Sequence, residues 1–263
     1  MIATDLDGTL FDVDHRPAPR TVAAVNAAVD AGIHVAAATG RSWFQGMDLA
    51  TSTGARLHHF IGSNGGHRVN AQTRELEERL VFRPEIVEGV IDVVNAAFDG
   101  CGFGWELSDD MAWDERFVEF TPFSIDGKTR HGSPRPTDRF DEVGKMFVAH
   151  PTLGKLDLVA AVDPIVPEEV NVTTSGVAFV ELTPPGADKG TAVARLADQL
   201  GIASSDVLAF GDNQNDLTLF DWAGRSVAMG NALDMVKDVA DEITETNVDC
   251  GVALVIEELL SGL

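Results

Sequence analysis

Lysine is scarce in this chain: five residues in 263, with Lys and Arg together numbering 19 against 42 Asp and Glu. The formal net charge of -23 argues against a nucleic acid or an anionic membrane surface, both of which need clustered Lys and Arg, so neither is an expected partner. A small anion is not excluded by that balance. Screening confines distant charges to about 8 to 10 Å, and one Lys, a divalent cation and helix N-termini can bind a phosphate inside an acidic protein. Cysteine is equally sparse, and Cys101 and Cys250 match no metal or redox spacing, which reads as two isolated reduced thiols. Apolar runs fall far short of the roughly 18 residues a membrane span requires, and no basic stretch precedes an apolar one at the start of the chain. The expected location is cytoplasmic. There is no internal repeat and no low-complexity tract.

What remains is globular in composition, 44 % hydrophobic, at a length where a second domain becomes the norm. Strand-helix alternation runs through residues 1–66. A strand over residues 1–4 precedes a helix entered through Pro17 and Pro19, with Val22, Val25 and Val29 on one face and Gly32 as its stop. Strands at 34–38 and 59–62 flank a helix over 42–53 that buries Trp43, Met47 and Ala50. Short buried strands between amphipathic helices imply a parallel sheet covered on both faces, an α/β Rossmann-like doubly wound core.

From Arg83 the pattern changes. A helix carrying Ile86, Val90, Val93 and Val94 leads into Gly-rich aromatic segments at 102–120 that read as antiparallel strands. A Pro-, Gly- and Arg-rich loop over 124–138 precedes strand-like runs at 145–149, 169–174 and 177–182. Residues 82–180 are therefore expected to form an inserted α+β cap domain, with 1–81 and 181–263 as the core. The α/β pattern resumes with helices at 189–200, 215–223 and 251–260 and strands at 207–210 and 226–229.

Four polar clusters fall at strand ends or helix starts of that core. Asp5 and Asp7 leave the first strand two positions apart, on one side, followed by Gly8 and Thr9. One carboxylate can attack phosphorus while the other handles the proton. Thr39, Gly40, Arg41 and Ser42 follow the second strand, where hydroxyls and backbone N–H groups suit a phosphate. Lys189 opens a helix, where the dipole also favours an anion. The run Gly211-Asp212-Asn213-Gln214-Asn215-Asp216 supplies oxygen ligands for a hard cation. Placing the first strand beside the one ending at Phe210 would bring Asp5, Asp7 and Asp212 together at the point where strand order reverses.

In this order the clusters resemble the four motifs of the haloacid dehalogenase superfamily of phosphatases. The inserted segment, ELTPPGADKG before the helix and AFGDNQND followed by VAMGNA resemble its Cof-type, sugar-phosphatase-like branch with a large cap. The resemblance implies Asp5 as the nucleophile forming an aspartyl-phosphate, and Asp7 as general acid and base. It implies that Thr39 and Lys189 hold phosphoryl oxygens with Asn215 assisting. Mg2+ would be held by Asp5, the backbone carbonyl of Asp7 and Asp212, with Asp216 as a direct or water-mediated support. The chemistry asks for the same types, because an ionised Asp approaches an anion only when a cation intervenes. The implied activity is Mg2+-dependent hydrolysis of a small phosphorylated metabolite, a sugar or polyol phosphate monoester. The alternatives are a sugar phosphomutase of related architecture and a non-catalytic binding protein that keeps the fold.

Other residues invite simpler readings. Arg41 can contact substrate or pair with a surface carboxylate. Asn64 can face the cleft, although a turn residue tolerating positive φ is the first reading. Asp12 and Asp14 belong to a solvated loop, and His58 and His59 lack the partners of a zinc motif and read as strand-edge residues. Gly100, Gly102 and Gly104 follow a helix and do not make a nucleotide loop. Trp105, Trp113 and Phe117 can line the inner face of the cap, although packing within it is the first reading.

Overall fold

A computed structural model describes residues 1–108, 110–121 and 139–262. The chain divides into two compact units, Met1–Arg79 with Gly186–Leu263, and Leu80–Pro185.

The first unit opens with β1 (Ile2–Thr4), α1 (Pro19–Asp30), β2 (Val35–Ala38), α2 (Trp43–Ser52) and β3 (His59–Gly62). Two antiparallel strands then follow, β4 (His67–Asn70) and β5 (Leu76–Arg79), in a stretch whose sequence pattern assigns no element. The second unit holds α3 (Pro84–Ala97), β6 (Gly102–Glu106), β7 (Met111–Trp113), α4 (Glu115–Phe120), β8 (Lys145–Ala149), α5 (Lys155–Val162), β9 (Asn171–Thr173) and β10 (Val180–Thr183). The chain then returns to the first unit with α6 (Lys189–Leu200), β11 (Leu208–Gly211), α7 (Leu217–Trp222), β12 (Arg225–Ala228), α8 (Asp234–Lys237), β13 (Glu242–Ile243) and α9 (Gly251–Ser261).

Among the described residues the first unit carries one eight-stranded sheet, ordered β13-β12-β11-β1-β2-β3-β4-β5. The strands from β13 to β3 are parallel. The chain winds outward from β1 through β2 to β3, then from β11 through β12 to β13 on the other side, so strand order reverses between β1 and β11. The register Thr4 against Phe210 brings the residues that follow each strand side by side at this switch point. Ala36, Ala37 and Ala38 of β2 are fully buried, as expected of a strand covered on both faces.

Several expectations need correction. The joins expected after residues 81 and 180 fall after Arg79 and Pro185, because β5 pairs with β4 and β10 pairs with β8 and β9. In α1 the covered face is Thr21, Ala24, Val25 and Ala28, while Val22 and Val29 lie only partly buried at its margins. In α3 it is Val87, Val90, Ile91 and Val94, and Val93 faces out at 37 % exposure. The end of the segment 102–120 is helical, because Asp114 caps α4 by accepting the Phe117 N–H at 2.7 Å. The loop over 124–138 lies outside the described residues.

Among the described residues the second unit carries a five-stranded antiparallel sheet, β7-β6-β8-β10-β9. Trp105 packs with α3 residues in its core, whereas Trp113, Phe117, Phe147 and Phe179 form a ring cluster with centroids 4.9 to 6.1 Å apart. Among the described residues no helix is long and apolar enough to cross a membrane.

Candidate active site

Asp5 leaves β1 and Asp212 leaves β11, and the Asp5 N–H donates to the Phe210 carbonyl at 3.0 Å. Beside the Asp212 carboxylate the chain carries a glycine. Gly8 has φ +83°, and a Cβ there would stand 2.4 Å from Asp212 Oδ2. Thr9 donates its hydroxyl to Asp212 Oδ1 at 3.1 Å. Asp216 reaches the same place from the short 3-10 turn before α7, close to Gly211, whose Cβ would collide with its carboxyl group.

Lys189 completes the cluster. Asp188 caps α6 by accepting the Thr191 N–H, and Gly190 lets that helix approach the Thr218 carbonyl, which a Cβ would meet at 2.2 Å. The buried ammonium donates to Asp5 Oδ1 at 2.7 Å and to Asp216 Oδ1 at 2.6 Å. The other oxygen of Asp216 accepts the backbone N–H groups of Asp212 and Asn213 at 2.9 and 3.0 Å. Asp216 is thus occupied by the protein on both oxygens and braces the lysine and the Asp212 turn together.

The electrostatics are unbalanced. Oxygens of Asp5, Asp212 and Asp216 lie within 4.8 Å of one another, and among the described residues Lys189 is the one cationic side chain that bonds to this buried group. Burial pushes Asp5 well above the usual carboxylate range; Lys189 opposes the rise, and Asp216, Asp212 and Asp7 add to it. Burial and then the Asp216 charge push Asp212 up to about 7, against the pull of Lys189. Burial draws Lys189 down, but Asp216 and Asp5 outweigh it and hold the ammonium above its ordinary value. Three buried carboxylates against one ammonium leave an excess of negative charge, and Asp5 and Asp212 offer the hard oxygens that a divalent cation fits.

Asp7, two positions beyond Asp5, is more open, with its side chain 34 % exposed. Arg41 grips it with two bonds of 2.6 Å, and His15 Nδ1 lies 3.0 Å from Asp7 Oδ1 and 2.9 Å from the guanidinium. Arg41 therefore pairs with the second carboxylate of the opening motif, a partner that neither earlier reading named. His15 was missed altogether. Its only signal was a position in the loop after the motif, which carries no chemistry until the chain folds back.

Thr39 is buried at the end of β2, with its hydroxyl accepting the Arg41 N–H at 3.2 Å, and Gly40 follows half-buried. Asn64 has φ +55°, is 1 % exposed and accepts the Asn215 Nδ2–H at 2.9 Å, so it is both a left-handed turn residue and a side-chain partner of the fourth cluster. Asn231, within the VAMGNA run, donates to the Gly8 carbonyl at 2.8 Å and ties the opening loop to the loop after β12. Asp12 accepts the N–H groups of Asp14 and Arg16 in a loop turn. His59 meets Glu77 at 3.2 Å and His34 at 2.9 Å, and His58 stacks on His34.

The carboxylate-lysine cluster thus stands at the switch point of an open α/β sheet, between the ends of β1 and β11. Residues 2–256 match the family profile of the haloacid dehalogenase-like hydrolases. The chain is 29 % identical to the 5-amino-6-(5-phospho-D-ribitylamino)uracil phosphatase YwtE of Bacillus subtilis over 99 % of its length and 98 % of the relative's. It is 27 % identical to the HMP-PP phosphatase of Cronobacter sakazakii, over 88 % of this chain and 84 % of that one. Among solved structures, a haloacid dehalogenase-like hydrolase from Bacteroides thetaiotaomicron superposes with a TM-score of 0.76 at 26 % identity, covering 98 % of each chain. A HAD subclass IIB sugar phosphatase shares the fold, with a TM-score of 0.81 at 20 % identity over 98 % of each chain. The chain belongs to the haloacid dehalogenase-like hydrolases, in their Cof-type phosphatase branch.

Proposed function

We propose that the protein hydrolyses a small phosphorylated metabolite, a sugar or polyol phosphate monoester, with Mg2+ and through an aspartyl-phosphate on Asp5. The observation that carries this reading is the buried cluster of Asp5, Asp212 and Asp216 around Lys189, with Asp7 next along the chain at the same strand end. A ribityl phosphate is the polyol phosphate in the name of the Bacillus relative, and that chemistry supports the substrate class.

Asp5, the main-chain carbonyl of Asp7 and Asp212 are the groups to hold Mg2+, with Asp216 behind them as the brace. When bound, the ion offsets repulsion between Asp5 and the phosphoryl group and withdraws charge from its oxygens. The remaining work belongs to the chain. A carboxylate oxygen of Asp5 attacks phosphorus, and the bond from phosphorus to the substrate oxygen breaks. Asp7, having left the Arg41 pair and taken a proton from solvent, gives that proton to the departing oxygen. It then takes a proton from the water that attacks the aspartyl-phosphate, and the bond from phosphorus to Asp5 breaks to release inorganic phosphate and restore the carboxylate. Lys189, Thr39 and Asn215 bind phosphoryl oxygens, and Lys189 keeps its charge at neutral pH because two carboxylates hold it. Arg41 orients Asp7 between turnovers. Residues of the second unit are the candidates to set substrate choice.

The test is phosphate release from 4-nitrophenyl phosphate and from a panel of sugar and polyol phosphates, with Mg2+ and with a chelator. Release that needs Mg2+ and vanishes in D5N is the expected result. Full activity in D5N, or release unchanged by the chelator, overturns the reading. Isomerisation of a hexose phosphate without free phosphate would turn it towards a mutase.

A further inference from the structure

We infer that Asn64 is a positioning residue, fixing the Asn215 carboxamide and the Thr39 turn as one phosphate-holding unit. The inference rests on the phosphatase reading above and deepens it. The loop after β3 runs through three successive left-handed residues, Ser63 (φ +54°), Asn64 (+55°) and Gly65 (+107°). Two of these carry side chains, which rarely adopt that conformation, and such backbone persists only where its surroundings hold it.

The surroundings are the other clusters. The Ser63 and Asn64 N–H groups donate to the carbonyls of Arg41 and Thr39 at 2.8 and 3.0 Å. A Cβ on Gly65 would stand 2.4 Å from the carbonyl of Asp188, the residue that caps the helix opened by Lys189. The Asn64 side chain accepts from Asn215 Nδ2 at 2.9 Å. One loop therefore touches the second, third and fourth clusters, and its central side chain makes the link to the fourth.

The Asn215 amide shows what the link does. Its nitrogen is taken by Asn64, while its oxygen, in a side chain only 7 % exposed, has no hydrogen-bond partner among the described residues. A buried acceptor left open is costly unless a ligand group answers it. Amide pairs of this kind hold together in either orientation, with one atom of Asn215 committed to Asn64 and the other left for the ligand. Without Asn64 the carboxamide is free to turn, and the site loses its preorganisation rather than a contact of its own.

Glycine separates this role from that of a turn. Gly adopts positive φ without strain, so N64G keeps the backbone and deletes only the side chain, whereas N64A deletes the side chain and strains the backbone as well. With 4-nitrophenyl phosphate and Mg2+, N64G and N64A are both expected to lose about tenfold or more in kcat/KM, mainly in kcat, while N64A melts at a lower temperature than N64G. Combined with N215A, N64G is expected to add little to the loss of N215A alone. Wild-type kcat/KM in N64G, or losses from N64G and N215A that multiply in full, overturns the role of Asn64. A wild-type protein that releases no phosphate overturns the phosphatase reading, and this inference with it.

Discussion

Asp5 carries an electrostatic burden that an amide would not. It is buried, it faces two further carboxylates, and Lys189 offsets only part of their charge. D5N is therefore expected to lose turnover by a factor of about 10³ or more while folding as well as the wild type, because it removes one of the mutually repelling charges. Circular dichroism melts beside phosphate release check both halves. Gly8 makes the opposite case: G8A strains a φ of +83° and drives a methyl group against the Asp212 carboxylate. It is expected to lose activity and to melt several degrees lower, by roughly 4–8 °C for each kcal/mol in a small domain and less in a larger one. Arg41 tests geometry rather than charge. R41K keeps one cation but not the paired bonds to Asp7, so it should fall well below wild type in kcat and lie near R41A; a fully active R41K would leave Arg41 as a mere counterion.

Among the elements, the loop after β1 is held from a distance. Asn231 donates to Gly8, accepts from the Asn247 N–H at 2.9 Å, and Asn247 in turn donates to the Phe11 carbonyl at 2.8 Å. This clamp joins the loop after β1, the loop after β12 and the segment before α9, and it holds residues 8–11 in place. N231A should cost about 1 kcal/mol of stability and speed amide hydrogen exchange over residues 8–11 more than in the β1 strand itself. Uniform protection across both segments would show that the clamp does not hold that loop.

For the molecule as a whole, the buried carboxylates tie stability to pH. Asp212 rises from an ordinary 3.8 to about 7 in the fold, so the folded state binds the extra proton. Stability from this group is full below the unfolded value and falls as pH climbs from about 4 towards about 7. A divalent cation that replaces the proton should reverse that loss. The increase in Tm on adding Mg2+ is thus expected to be small at pH 5 and larger at pH 8, measured by calorimetry against a chelated sample. An increase independent of pH would mean that Mg2+ binds away from these carboxylates.

The chemistry of the chain is written locally. Two carboxylates at the end of a short apolar run, a Thr-Gly-Arg turn, a Lys after a capping Asp and an oxygen-rich turn can each be recognised within about ten residues, because strand and helix periods are local properties. The core strands and most helices follow from the same periods. What the folded chain decided was adjacency. Lys189 meets Asp5 across 184 positions and Asn215 meets Asn64 across 151, and no local period records which strand ends come side by side. The same holds for β4, β5 and β13, whose short polar strands are strands only because a neighbour supplies the ladder, and for the covered faces of α1 and α3, which packing chose over the valine spacing. Arg41 and Asn64 had two readings each because a side chain's role depends on what stands opposite. Asp7 and Asn215 stand there, since β1, β2, β3 and β11 lie adjacent in one sheet.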